Sequence, residues 1–419
     1  MNKRAKFGLT LLILLCLVLS SCNINGARTV TETSSSIVAS TSTMSSLTTS
    51  ISLGDEITEW KSTMLASESN IVFGSGVGAT IAGKNYLICT VDFGNNPEGT
   101  GTNADAGIII SDISNPDNPE EISYLKTGQD KQILFEGNLK LIGRTLYALM
   151  YDSALPESYL WIIDVSDPDN PKDLGETALA TSFDSDIEVS GNYAYIVFNS
   201  YTNGNETIST FDISDPTNPG SVGEITIPIP GSFNALKSTG SLLFAMTDDG
   251  LYIFNASIPG SLKQIGFLGN PFPPLTGVIP PEYIPPDFFD MALAGNDLYI
   301  VSGIDRLLVV DISTPTNPKI ISNFEMQEQG TNIIVSGNRA YVLSCNGSIT
   351  FSEGVENLLA VVDISNPGNL KEFNSVLLSP TYSESYSNLI ETDNHLYFCD
   401  DRYPSILIID LQSLADSLK

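Results

Sequence analysis

One phrase of twelve residues returns seven times along this chain, and its clearest copy is LWIIDVSDPDNP at Leu160–Pro171. The other copies begin at Ile108, Ile208, Leu251, Leu307, Leu359 and Ile406. The Asp of the phrase recurs as Asp112, Asp164, Asp212, Asp311, Asp363 and Asp410, with Asn255 in the fourth copy, at spacings of 43 to 56 residues. A period of this length confines a chain to solenoids, propellers or arrays, because each unit is too small to bury its own apolar face.

Each copy follows a second recurrent element, seen best in IEVSGNYAYIV (Ile187–Val197), MALAGNDLYIV (Met291–Val301) and IIVSGNRAYVL (Ile333–Leu343). Two β-rich runs around Gly-Asn read as a hairpin, since both turn residues tolerate positive φ. The apolar run of the phrase supplies a third strand suited to burial on both faces, and a weaker fourth run follows Asn-Pro. No helical period intervenes. Four short strands per unit repeated radially predict an all-β fold, a seven-bladed β-propeller of four-stranded blades, with six or eight blades as alternatives because copies four and seven are degraded. The last copy ends at Lys419 without a fourth strand, whereas Glu56–Thr63 (EITEWKST) looks like an outer strand with no hairpin before it. An unpaired outer edge is a liability. Glu56–Thr63 is therefore expected to close the ring as the fourth strand of the last blade.

The phrase resembles the LVIVD-repeat family of β-propeller proteins. The match runs from about Asp55 to the C-terminus and is most specific in copies two, three and five. It implies the propeller already expected from the strand count. The Asp after the apolar run has two readings, a turn-forming residue that accepts backbone N–H groups beside strand-ending prolines, or a calcium ligand. A calcium loop needs several oxygen ligands at alternate positions around a Gly. DISDPTNP has no such Gly, so turn chemistry is preferred and neither metal nor cofactor is expected.

Residues 1–22 read as an export signal: Lys3, Arg4 and Lys6, a 13-residue apolar run Phe7–Leu19, then Ser20-Ser21-Cys22. The run is shorter than the ~20 residues that span a bilayer. Its end resembles a bacterial lipobox, which implies lipidation of Cys22, a membrane anchor and an extracytoplasmic location; two acyl chains anchor stably where one does not. Residues 23–54 are rich in Ser and Thr and read as a flexible tether, leaving 55–419 as the propeller. Beyond the leader there are 16 basic and 49 acidic residues, a formal charge of −33. Such a surface repels nucleic acid. A monomeric propeller with an unknown protein or carbohydrate ligand is expected.

Non-repeated material is where function is sought, since repeat proteins collect unit-specific insertions on one face. The loops between strands two and three, and those leaving strand four, emerge on the same side and hold all the long insertions; the turns between strands one and two stay tight. This long-loop face carries the candidate binding residues Asp92, Asp105, Tyr151, Asp152, Tyr159, Tyr201, Asp248, Asp249, Tyr283, Phe288, Asp305, Arg306, Asp400, Asp401, Arg402 and Tyr403. Aromatics beside carboxylates suit sugars, cations or a basic protein segment.

Catalytic constellations are thin, and no catalytic residue is assigned. His395 is the only histidine and sits in an apolar strand, which excludes His-rich zinc sites. Cys89, Cys345 and Cys399 fall on second strands and are expected as buried thiols. The sequence therefore points to a non-catalytic binding or scaffolding module, with a glycan- or polymer-active hydrolase or lyase using face carboxylates as the alternative.

Overall fold

The computed structural model describes residues 51–52, 57–61, 71–93, 106–127, 133–135, 139–152, 157–179, 184–199, 206–227, 233–271, 288–302, 305–327, 329–346, 356–373, 375–379, 386–400 and 405–417. The expected signal and the tether up to residue 50 lie outside the described residues. All seven units fold as antiparallel sheets whose strands pair in chain order. Blade 1 is Ile71–Ile81, Lys84–Phe93, Gly107–Asp112 and Glu120–Lys126. Blade 3 is Asp184–Ser190, Tyr193–Asn199, Glu206–Asp212 and Gly220–Ile227, blade 4 is Phe233–Thr239, Leu242–Thr247, Gly250–Asn255 and Lys263–Gly269, and blade 5 is Phe288–Ala294, Asp297–Ser302, Arg306–Asp311 and Lys319–Glu325. Blade 2 splits its first strand (Ile133–Phe135 and Lys140–Ile142) before Thr145–Asp152, Glu157–Asp164 and Lys172–Ala178. Blade 6 splits its fourth (Lys371–Glu372 and Val376–Ser379) after Gly330–Ser336, Arg339–Asn346 and Glu356–Asp363.

The continuous apolar run of the phrase has a direct cause. In blade 1, Ile108 and Ile110 pack into blade 2, while Ile109 between them packs into blade 7. In blade 2, Trp161 and Ile163 face blade 1, and Leu160 and Ile162 face blade 3. Every third strand is thus buried on both faces, each such side chain contributing roughly 1.5–3 kcal/mol. The core consists of seven clusters, one for each of the seven junctions around a closed ring. First strands of successive blades touch around the axis, and that of blade 7 (Tyr386–Thr392) touches that of blade 1. Seven is the blade number.

Strand three ends the same way in every blade. The Asp accepts the backbone N–H two residues on, at 3.0 Å for Asp112, 2.8 Å for Asp164, 2.9 Å for Asp212, 2.8 Å for Asp311 and 2.9 Å for Asp363. Asn255 does the same through its amide oxygen at 2.9 Å, which is why the degraded fourth copy still turns. Asp410 reaches one residue further, to Ser413 at 2.7 Å, and so opens helix α1 (Leu411–Ser417). Hydrogen bonds from the following serine hold the Asp212, Asp311 and Asp363 carboxyls below their usual pKa. The next residue donates to the first hairpin's turn, as in Val165 N–H to the Arg144 carbonyl (2.9 Å) and Ile213 N–H to that of Asn192 (2.8 Å). A proline then takes the second position of a β-turn closed by Asn170 N–H on the Asp167 carbonyl at 2.9 Å.

That turn docks on the preceding blade. Ser123 Oγ donates to the Pro168 carbonyl at 2.6 Å. The equivalent residues Gly223 and Gly266 lie so close that an added Cβ would stand 2.2 Å from the Gly260 oxygen and 2.0 Å from that of Pro315. Only small residues fit there, beside a β-bulge that recurs in the outer strands of blades 1 to 5.

Blade 7 is Tyr386–Thr392, His395–Asp400, Ser405–Asp410 and, as its outer strand, Ile57–Lys61, paired antiparallel from Ile57 opposite Ile409 to Lys61 opposite Ser405. The ring closes as expected, with the two ends of the domain in one sheet. Ile51–Ser52, placed in the tether on sequence grounds, adds a short parallel strand to Val376–Leu377 of blade 6. A chain beginning at Asn70 should melt roughly 5 °C or more below one beginning at Thr48, since loss of the outer strand uncovers Leu407 and Ile409; differential scanning calorimetry of the two reads this directly.

Candidate functional site

The two ends of the ring are built differently. On one end lie the seven hairpin turns and the seven strand-three stops, six capped by Asp and one by Asn255, tied to each other by the repeated bonds described above. On the other end the connections are all different. Strands two and three are joined by Asp248-Asp249 alone in blade 4 but by residues 94–106 in blade 1 and 347–355 in blade 6. Residues 270–287 lead from blade 4 to blade 5. The long-loop face predicted from sequence therefore coincides with one end of the propeller.

The candidate residues divide by blade. In blade 2, Asp152 lies opposite Glu157 across the second hairpin, and Tyr151, Asp152 and Tyr159 are buried, so these three line the interior beneath the face. Tyr159 donates its hydroxyl to Glu157 at 2.6 Å, and that bond, with burial, pushes the phenol up to about 12. In blade 4, Asp248 accepts from Asn234 Nδ2 at 2.9 Å, and its carbonyl accepts from Asn270 Nδ2 at 2.9 Å. Asp249 accepts the Tyr252 hydroxyl at 3.1 Å. Burial and this bond push Tyr252 up to about 12. In blade 5, Asp305 is exposed with φ 54°, while Arg306 pairs with Glu325 of the outer strand at 3.0 Å. Asp92, Phe288 and Asp400 stand at the face ends of their strands, opposite Val72, Ser302 and Tyr386. Asp105, Tyr201, Tyr283, Asp401, Arg402 and Tyr403 lie outside the described residues.

Glu206 is the residue that sequence reasoning missed. It begins the third strand of blade 3, is buried on the long-loop side, and has the charge of Asp248 on blade 4 acting on it. Burial first, and then Asp248, push its carboxyl up to about 7. A glutamate six residues before the Asp of the phrase was the available signal: the equivalent position in blade 2 is Ser158. Because the folded pKa lies above the ordinary carboxylate value, folding favours the protonated form. Glu206 therefore costs no stability below about pH 4.5, and its ionisation lowers stability progressively as pH rises toward 7. Glu206→Gln should be near neutral at pH 4.5 and stabilising by up to about 3 kcal/mol at pH 8, read by urea denaturation at both pH values.

The axis carries a second polar group. Asp186 of blade 3 accepts the N–H of Leu236 in blade 4 at 2.9 Å, and the equivalent Asp290 of blade 5 accepts that of Ile333 in blade 6 at 3.1 Å. Glu188 takes Ser238 N–H and Oγ at 3.2 and 2.7 Å, and its other oxygen meets Lys140 Nζ at 2.9 Å. Lys237 lies 3.9 Å from Asp290; burial opposes its charge, but Asp290, Asp186 and Glu188 outweigh this and raise its pKa. These groups fasten blade to blade.

The lone His395 sits at the regular end, its Nδ1 2.7 Å from the Asp393 carbonyl and Nε2 3.7 Å from Asp410, away from the long-loop face. Cys89 is a buried thiol. Among the described residues no group of three His, Cys, Asp or Glu is placed to hold a metal, and no helix is long and apolar enough to cross a membrane.

An LVIVD repeat model matches residues 103–127, 154–176, 184–226, 288–325 and 354–377, which fall in blades 1, 2, 3, 5 and 6. The two blades it passes over carry the degraded copies. No curated protein matches the chain. Among solved structures, a chain of the "Crystal Structure of Mitotic Checkpoint Complex" is 12% identical with a TM-score of 0.51, over 77% of this chain and 87% of that one. Sqt1 of Saccharomyces cerevisiae is 11% identical with a TM-score of 0.48, over 82% and 96%. At 12% identity the first shares the fold alone. The chain is a seven-bladed β-propeller, and five of its seven equivalent blades carry segments similar to the LVIVD repeat.

Proposed function

We propose that this protein is a non-catalytic binding or scaffolding module, which engages a protein or glycan ligand through its long-loop face and is held outside the cytoplasm by a lipid on Cys22. The observation that carries this reading is the contrast between the two ends of the ring. One end repeats its hydrogen bonds blade after blade, while the other varies its connections from two residues to eighteen. Variable connections on a rigid ring are how a scaffold presents a binding surface. The carboxylates and tyrosines of that face suit a carbohydrate or a basic protein segment, and its acidity disfavours nucleic acid.

Glu206 and Asp248 favour one second reading. A buried carboxyl raised to about 7 by burial and by the neighbouring Asp248 is the kind of acid that glycoside hydrolysis uses, so a glycan-active hydrolase is the alternative.

The chain from Thr48, screened by thermal shift against oligosaccharides and basic peptides, should be stabilised by one class, and replacing residues 94–105 with a two-residue turn, which keeps the buried Ala106, should weaken that shift without lowering the unliganded melting temperature. Glycan turnover lost in Glu206→Gln would move the assignment to the hydrolase. In cells, an alkyne fatty acid should label the full chain and not its Cys22→Ala variant; equal labelling of both removes the anchor.

A further inference from the structure

Four of the five exposed large hydrophobic side chains among the described residues lie on one sector of the rim: Val222 in blade 3, Ile258 and Phe267 in blade 4, and Ile321 in blade 5. Ile258 is the most exposed of them at 68% and opens the Pro turn of the fourth repeat. Its sister residues are Asn115, Asp167, Asp215, Thr314 and Asn366. Those polar side chains serve the turn: Asp215 accepts Thr217 N–H at 3.0 Å and Thr217 Oγ–H at 2.7 Å, and Asn366 accepts Gly368 N–H at 3.3 Å. Ile258 forgoes these bonds, while the turn itself still closes through Ser261 N–H to the Ile258 carbonyl at 2.8 Å. The fold therefore gains nothing from an isoleucine there. Gly260 of the same turn lies against the Val222 carbonyl, which joins the blade 3 and blade 4 parts of the patch.

Charge identifies what covers it. The corresponding rim of blade 1 carries Asp117, Glu120 and Glu121, and that of blade 2 Asp167, Asp169, Asp173 and Glu176. Residues 258–269 of blade 4 carry no acid and one lysine, Lys263. In blade 5, Lys319 is exposed and Glu325 is paired with Arg306. On a chain of formal charge −30, the acid-free rim of blade 4 is where two copies meet with least repulsion, while blade 3 beside it carries Asp215 and Glu224.

We infer that the rim of blades 3 to 5 is a two-fold contact with a second copy of this chain. A two-fold axis parallel to the propeller axis sets blade 4 against blade 4 and blade 3 against blade 5. It brings Val222, the bulged residue of its outer strand, to the height of the equivalent bulged residue Ile321 of the second copy. It also sets the sector of Glu224 against that of Lys319, and both long-loop faces point the same way. The contact so inferred is isologous, and it differs from the monomer expected from sequence.

Sedimentation velocity of the Thr48–Lys419 chain, from about 1 to about 200 µM, tests this. The wild type should dimerise, and more tightly as salt rises from about 0.05 to about 0.5 M, because screening relieves the repulsion between acidic chains. Ile258→Asp, which restores the sister residue, should weaken association about tenfold or more with an unchanged melting temperature. Asn366→Asp, at the same turn position in blade 6, should leave it unaltered. A wild type that stays monomeric throughout at both salt concentrations overturns the proposal and leaves the rim to a different partner. So does an Ile258→Asp variant that associates like the wild type, or an Asn366→Asp variant weakened as much.

Discussion

Burial of the third strand on both faces is the constraint on which the rest of the molecule depends. An isolated four-stranded sheet of this sequence would leave Ile108 and Ile110, or else Ile109, in water, since alternate side chains point to opposite faces. Neither face is dispensable, so every blade needs a neighbour on each side. The only arrangement that satisfies all seven is a ring. The ring in turn requires a fourth strand for the last blade, which the chain draws from its own beginning. Stability is thereby shared among junctions, and the two ends of the domain are committed to each other.

A consequence is the separation of structure from variation. At one end, the Asp, the turn carbonyl of the first hairpin and the Pro turn hold each other in a pattern repeated around the ring. Substitution there is felt by two blades at once, because the Pro turn also docks on Ser123, Gly223 or Gly266 of the blade before it. At the other end the described residues repeat a single bond, from the N–H after strand four to a carbonyl at the start of strand three, as in Leu179 to Ser158 at 2.8 Å and Met326 to Asp305 at 2.9 Å. Connections there are free to differ in length and chemistry, and it is there that Asp248, Asp249 and Glu206 stand with unlike partners.

The architecture was legible because its cause is periodic. Copies of the phrase state the burial of strand three, Gly-Asn marks the first turn, and the run Glu56–Thr63 with no hairpin before it announces ring closure. The site was legible only as a face. Nothing in the sequence told that Tyr151, Asp152 and Tyr159 would be buried, because their depth depends on how the blade 2 hairpin leans on its neighbours. Arg306 looked like a charge beside Asp305, but strand register places it opposite Glu325. Glu206 escaped notice because its pairing with Asp248 crosses between blades, a relation that no local pattern encodes.

The acids at the axis follow from the same geometry. Ring closure pairs the strands within each blade, but it leaves the first strand of every blade with an unpaired edge toward the centre. Backbone N–H groups on that edge need acceptors if they are removed from bulk water. The neighbouring blade supplies them: Asp186 for Leu236, Glu188 for Ser238, Asp290 for Ile333. A carboxylate is a stronger acceptor than an amide, but its charge must be offset when it is partly buried. Lys140 and Lys237, from the equivalent position on blades 2 and 4, do that. Blades 6 and 7 place Ile334 and Ile390 at the same register position, so the polar fastening is concentrated on one side of the axis. Acidic side chains at the centre are therefore part of the ring's assembly.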